Sequence, residues 1–252
     1  VNHLEHLLSA ILLNFQFVEI NLEDNDDPQM VFETLNGRGT PLAESDLIRN
    51  YIFMRANKNN EDMDSLYKKY WCIFEKDFWD DSDSRGRNKN KNLDLFFIDY
   101  LILKKLKLVS SKKIFFEYKD WVVNKKIFKK IEEELEDISQ KAVVYENISI
   151  KKDIGNPVLK ELLEICRKLG ASTFNPLFLF IETSNISEIL KNDFYSILIS
   201  YIVRRYLCKY DSKNYNKTCI EFMNYISEHN FNYEEFIVYL KSRNTPTYIF
   251  PD

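Results

Sequence analysis

A mainly α, multi-helical protein preceded by a small α/β piece with one or few strands is what this sequence predicts. Three observations carry the expectation. Beyond residue 93 most segments repeat apolar residues at helical spacing, as in Phe194, Ile197, Leu198, Tyr201 and Ile202. Helix-opening pairs stand where such patterns begin, Asn156-Pro157 and Asn175-Pro176 among them. The best strand signal is Phe15 to Leu22, β-branched and aromatic, followed by the acidic turn Glu23-Asp24-Asn25-Asp26.

In chain order, Leu4, Leu7, Leu8, Ile11 and Leu12 predict an amphipathic helix over 3–14. After the strand, Asp27 caps a helix with Pro28 at its first position, where a missing N–H costs nothing. Met30, Val31, Phe32 and Leu35 give it an apolar face. Asn36-Gly37-Arg38-Gly39 stops it, since glycine adopts the left-handed conformation without a Cβ clash. Thr40-Pro41 opens a second helix through Leu47, Ile48, Tyr51 and Ile52. Asn57-Lys58-Asn59-Asn60 reads as a linker, dividing the chain into 1–57 and 58–252. A helix with Leu66, Tyr70, Ile73 and Phe74 follows. The polar run 80–92 has no periodicity and predicts an exposed, mobile loop. Further helices are expected over 93–107 and 128–147, from Pro157 to a stop at Gly170, and from Asn175 through Ile181. The last three run over 193–207, 215–229 and 232–241, the final one with the Asn232…Glu235 capping box.

With 252 residues, 45% apolar content and a net charge of −4, the whole molecule is not built for indiscriminate binding to nucleic acid or acidic membranes. The charge is unevenly spread: residues 19–83 carry sixteen acids against seven bases, and residues 84–130 fourteen bases against four acids. The basic stretch reads either as a solvated helical surface or as a track for a phosphate backbone. The track would use Arg85, Arg87, Lys89 and Lys91, then Lys104, Lys105, Lys107, Lys112 and Lys113. Cys72, Cys166, Cys208 and Cys219 lack C-x-x-C spacing and have apolar neighbours. They are expected as buried thiols in a reducing, cytoplasmic setting. No apolar run is long enough to cross a bilayer, so no membrane partner is expected. The first residue is Val1, inside a helical pattern, and both ends read as cut from a longer protein.

Catalytic signatures are missing from the sequence. Asp81-x-Asp83-x-Arg85-Gly86 has arginine at the fifth position and Asn92 at the twelfth, which rules out a calcium loop. His3 and His6 sit one turn apart without a third ligand, so no metal site is expected. No Walker loop, G-x-S-x-G or H-E-x-x-H occurs. The turn at residues 36–39 admits two readings. Gly37 is a helix C-cap with Arg38 solvated, or the N–H groups near Gly39 and the Arg38 guanidinium face an anion.

Residues 32–50, F-E-T-L-N-G-R-G-T-P-L-A-E-S-D-L-I-R-N, closely resemble a motif of the GmrSD-type restriction and anti-phage proteins, whose N-terminal part is ParB-like. Phe32, Glu33, Asn36, Gly39, Leu42, Asp46, Leu47, Arg49 and Asn50 stand at the family's spacing. Arg204-Arg205 is a weaker echo of the arginine pair that the family places before its C-terminal module. The resemblance implies an NTP-dependent, modification-sensing DNA endonuclease system. The family's upstream D-G-Q-Q-R motif and downstream His-Asn-His nuclease module do not occur in this sequence. The chain then corresponds to the end of a ParB-like domain plus a helical connecting domain, inactive alone. NTP and Mg belong to the full-length protein, with DNA, the upstream ParB-like half and the nuclease module as partners. Glu33, Asn36, Arg38 and Gly39 would line a nucleotide or phosphate site. Asp46 and Arg49 are equally a binding pair or a helix-surface ion pair. Arg204 and Arg205 are equally an interdomain salt bridge or a DNA-backbone contact. Two rivals stand beside this reading: a helix–turn–helix DNA binder with residues 42–55 as recognition helix, and a helical scaffold for partner proteins.

Overall fold

The computed structural model describes residues 3–15, 43–85, 88–150, 154–246 and 248–251, and the side chains of 83–85, 88 and 89 are not among the described parts. The chain divides into two compact units, Val1–Leu42 and Ala43–Asp252. In the first, α1 (His3–Asn14) forms over the residues that its apolar stripe predicts, with none of them buried. The strand expected over Phe15–Leu22 and the helix and turn of 27–39 lie outside the described residues, Phe15 apart.

The second unit is helical. It opens with α2 (Glu44–Lys58) and the short α3 (Met63–Leu66). A π-helical turn (Tyr67–Trp71), a 3-10 turn (Cys72–Glu75) and α4 (Asp77–Asp80) follow. The single helix expected around Leu66–Phe74 is therefore broken. It re-registers so that Tyr70, Trp71 and Phe74 all reach the core. The loop expected over 80–92 is instead an antiparallel hairpin, β1 (Ser82–Arg85) and β2 (Asn88–Lys91), paired from Ser82↔Lys91 to Arg85↔Asn88. A strand pair without apolar alternation leaves no period-2 signal to read.

Next come α5 (Asn92–Lys105), α6 (Ile114–Lys125), α7 (Ile131–Ile150) and α8 (Pro157–Lys168). A 3-10 turn (Ser172–Phe174) leads to α9 (Asn175–Glu182), α10 (Glu188–Leu207), α11 (Tyr215–Glu228) and α12 (Tyr233–Ser242). Local chemistry sets these boundaries. Asn156 Oδ1 accepts from the Val158 and Leu159 N–H groups at 3.0 and 3.1 Å, with Pro157 at the first helical position. Gly170, at φ +67°, ends α8 while the Ala171 N–H returns to the Cys166 carbonyl at 2.7 Å. Asn232 accepts from the Glu235 N–H at 3.2 Å and donates to its carboxylate at 3.1 Å.

Helix α5 is the hub. Leu95, Phe96, Phe97, Tyr100 and Leu101 pack with α2, α6, α7 and the aromatic turns around Trp71 and Trp79. Its Ile102 belongs to a second apolar group built from α8 to α12, and Ile98, Leu103 and Val144 touch both groups. A helix surrounded on all sides needs apolar residues on all sides, which is why α5 shows little amphipathicity. Leu47, Ile48, Tyr51, Ile52 and Ala56 place α2 in this core. The unit accordingly starts at Ala43, earlier than the 57/58 boundary that composition suggests.

Three helices begin on a carboxylate supplied from elsewhere in the chain. Asp94 accepts from the Ser45 N–H of α2 at 2.9 Å, and Glu44 from the Phe115 N–H of α6 at 2.8 Å. Glu61 spans the start of α7, accepting from Ile131 and Glu132 at 3.0 and 3.1 Å. Each meets N–H groups that an α-helix cannot satisfy internally, and each opposes the positive end of the helix dipole.

Asp137 ties α5 to α7. Lys104 of α5 approaches it at 2.6 Å, Lys141 at 2.7 Å, and the Tyr100 hydroxyl donates at 2.7 Å. Burial pushes the Asp137 carboxyl up, but the two ammonium groups and the hydroxyl outweigh it and hold it below the ordinary carboxylate value. Burial lowers Lys104, so the favourable side of this pair is read on Asp137, where two cations share one anion. A depressed carboxylate contributes stability above its unfolded value of about 3.9 and loses it as pH falls through the folded value. Asp137→Asn is expected to cost about 2 kcal/mol at pH 7. The gap to wild type should begin to narrow as pH falls below about 3.9, the unfolded value, and close only as the native carboxyl, held lower, is protonated as well. Urea midpoints at pH 7 and pH 3 check this, and a gap unchanged by pH would contradict it.

Candidate functional site

Glu33, Asn36, Arg38 and Gly39, the residues expected to line a phosphate site, lie outside the described residues. The second half of their motif is on α2. There Leu47 is buried, Asp46 and Arg49 are half-buried, and Asn50 is exposed. The ion-pair partner of Arg49 is Glu75, at 4.0 Å, and its guanidinium lies 5.5 Å from the Tyr67 ring. The Tyr67 hydroxyl donates to the same Glu75 carboxylate at 2.8 Å, which fixes the acceptor. Arg49 thus braces α2 against the turn after α3, not against Asp46. This also weighs against α2 as a recognition helix. Five of its apolar residues are in the core, and Arg49, one of its two base-reading candidates, is engaged.

The expected phosphate track is only partly free. Arg85 and Lys89 stand on the hairpin, with side chains outside the described parts, and Arg87 is not among the described residues. Lys91 pairs with Asp80 at 2.8 Å, and that hydrogen bond raises its ammonium above the ordinary value. Lys104 is held by Asp137, and Lys105 by Glu117. Lys107, Lys112 and Lys113 are exposed. So are Lys125, Lys126, Lys129 and Lys130, which continue the basic surface past α6 to the start of α7. Within residues 107–130 the acids are Glu117 and Asp120. Glu117 is spent on Lys105, and Asp120 accepts from Asn124 at 2.6 Å. A surface of this kind attracts polyanions without reading sequence.

Arg204 and Arg205 hold the end of the chain. Arg205 is buried at 1% exposure. Its fork donates to the Pro246, Ile249 and Asp211 carbonyls at 3.3, 3.0 and 3.0 Å. Its guanidinium lies 5.2–5.7 Å from the Tyr201, Tyr210 and Tyr215 rings. Arg204 is exposed yet donates to Ser200 Oγ at 3.1 Å and to the Pro251 carbonyl at 3.0 Å. Arg205 is therefore out of reach of a DNA backbone, while Arg204 stays at the surface. Both are clasps within one unit, because the backbone carbonyls of Pro246, Ile249 and Pro251 fold back within reach.

The expectation of four buried thiols is corrected at two positions. Cys166 and Cys219 are buried, but Cys72 and Cys208 are exposed. His229 stacks on Tyr225, with centroids 3.9 Å apart and planes 14° apart. Among the described residues no three His, Cys, Asp or Glu side chains are grouped to hold a metal, and no helix is long and apolar enough to cross a membrane. No family model, no curated protein and no solved structure matches this chain.

Sequence reasoning missed a cleft between the end of α2 and the start of α7. A cavity of about 140 Å3 there is lined by Arg55, Lys58, Lys129 and Lys130 around Val122, Phe128, Ile131 and Glu134. Arg55 forks onto Glu134, with Nη1 at 2.9 Å and Nη2 at 2.6 Å, and the Tyr118 hydroxyl donates to the same carboxylate. The doublets Lys125-Lys126 and Lys129-Lys130 were the available signal. Sequence alone does not bring Lys58 and Arg55 beside them.

Proposed function

We propose that this chain is the sensing and connecting segment of an NTP-dependent, modification-sensing DNA restriction system of the GmrSD type, serving bacterial defence against phage, and that it performs no catalysis alone. The observation that carries the reading is the nine-position match over Phe32–Asn50. Two features of the second unit support it. The half of the motif on α2 is braced by Asp94, Glu75 and the apolar core. The exposed lysines on and after α6 suit the phosphates of a DNA strand. In this reading DNA, the ParB-like half and the nuclease module are partners of the full-length protein, which also supplies the NTP and Mg site in the cytoplasm.

The test is a titration of the full-length protein and its Arg38→Ala variant with nucleotide and with DNA, the DNA arm run at 50 and 200 mM salt. Arg38→Ala is expected to weaken at least one of the two ligands about tenfold, the loss of one forked charge-assisted contact. DNA affinity of the wild type should fall about a hundredfold between the two salt concentrations if roughly four phosphates are neutralised. Unchanged affinities for both ligands remove Arg38 from the site. A flat salt response removes the lysine surface.

A further inference from the structure

The small cavity at the α2–α7 junction has an unbalanced charge. Four cationic side chains, Arg55, Lys58, Lys129 and Lys130, face one carboxylate, Glu134. That carboxylate is already occupied by the Arg55 fork and the Tyr118 hydroxyl. No ion pair within 4 Å holds Lys58, Lys129 or Lys130 among the described residues, although Lys130 helps to lower the Glu132 carboxyl, and most of the nearby acids already have partners. Glu61 sits on the Ile131 and Glu132 N–H groups, Glu132 takes Lys69 and the Tyr70 hydroxyl, and Glu133 accepts from the Lys129 N–H. The start of α7 is therefore already filled by protein, and the vacant charge belongs to side chains. Val122, Phe128 and Ile131 form an apolar wall, which lets the lysine field reach further than it would in open water.

A second cavity, of about 560 Å3, adjoins the first and shares Asn59, Lys129 and Lys130 with it. Its lining adds the carboxylates of Glu61, Asp62 and Glu132 and the Ser65 hydroxyl; Glu132 Oε1 takes Lys69 and Tyr70 and Asp62 Oδ1 takes the Ser65 N–H, which leaves the second oxygen of each to accept. Carboxylate and hydroxyl groups accept hydrogen bonds from hydroxyls. The cleft thus has a cationic end sized for one phosphate group and an acceptor-rich end suited to a polyol. We propose that this cleft binds a phosphate monoester of a hydroxyl-bearing compound, the phosphate among Lys58, Lys129 and Lys130 and the hydroxyls toward Asp62 and Glu132. A free sugar phosphate and the 5′-terminal nucleotide of a nucleic acid share this chemistry. The proposal needs no restriction activity and stands or falls apart from it.

Calorimetric titration of the whole chain with ribose 5-phosphate at low ionic strength tests the site, with ribose as the uncharged control. Binding is expected for the phosphate ester and not for ribose. The exposed triple variant Lys58→Gln/Lys129→Gln/Lys130→Gln should weaken it at least tenfold, while Lys112→Gln/Lys113→Gln, on the same basic surface but outside the cavity, leaves it unchanged. Thermal melting of each variant confirms that the fold is kept. Displacement of the sugar phosphate by a 5′-phosphorylated oligonucleotide, but not by its 5′-hydroxyl counterpart, assigns the site to a nucleic-acid end. Displacement by neither assigns it to free small molecules. Equal binding of ribose and its phosphate, equal loss in both lysine variants, or no binding at millimolar ligand would overturn the proposal.

Discussion

Arg205→Met is expected to destabilise the second unit by about 3 kcal/mol, among the largest losses available from a single side chain outside the apolar core. Two effects oppose each other. Burying a guanidinium without a carboxylate is costly, so an apolar side chain of similar length could in principle relieve strain. Against this, the fork satisfies three carbonyls, Pro246, Ile249 and Asp211, and three tyrosine rings surround its charge. An abandoned buried carbonyl costs roughly 1–3 kcal/mol, and each ring contact recovers about 0.5–2 kcal/mol of the desolvation. The bonds win. The loss is also not confined to them, because Arg205 holds Pro246 and Ile249 in place while Phe250 lies parallel to Tyr201, 6.2 Å away at 8°. Arg205→Lys should fare little better, since an ammonium does not span carbonyls that a planar fork reaches together. Guanidinium chloride unfolding gives the energy. Limited proteolysis of both variants should show cleavage within 244–251 that wild type resists. Wild-type stability in Arg205→Met would mean that desolvation dominates.

The same arginine marks where sequence reasoning stops. Its place late in a long helix was legible, because Phe194, Leu198, Tyr201 and Ile202 recur with the helical period. Two of its three carbonyl partners were not, since they lie some forty residues onward where no pattern announces them. Helices with a local start or stop signal were legible for a related reason: Asn156-Pro157, Gly170 and Asn232…Glu235 act within their own turn. For α6 the cap comes from distant Glu44, and the sequence around Ile114 carries no start signal of its own. The hairpin of Ser82–Lys91 was hidden because both its strands are polar. The candidate cleft was hidden because charge counted along the chain does not tell lysines spent on Asp137 and Glu117 from lysines left free.

Breaking the Arg55–Glu134 pair from one side is expected to cost about as much as losing Arg205, and breaking it from both sides much less than twice that. Glu134 is 1% exposed and accepts both arms of the Arg55 fork plus the Tyr118 hydroxyl. Arg55→Met leaves a carboxylate in the core with one hydroxyl donor, for an expected loss of about 3 kcal/mol, the low end for a buried pair because Arg55 keeps 19% exposure. Glu134→Leu leaves the guanidinium on the Tyr51 ring, 4.6 Å away, and partly open to water, so its loss should be smaller. The double variant removes both desolvation penalties together. A coupling energy of about 2 kcal/mol is the expected sign that the pair, and not its separate packing, stabilises the α2–α7 contact. Tyr118→Phe should cost about 1–2 kcal/mol by removing a donor to a charged acceptor. Additive losses in the cycle would show instead that each side chain stabilises the junction through its own neighbours. In that case Glu134 would be freer than the geometry indicates to neutralise the lysines beside it, and the cleft's attraction for anions would be correspondingly weaker.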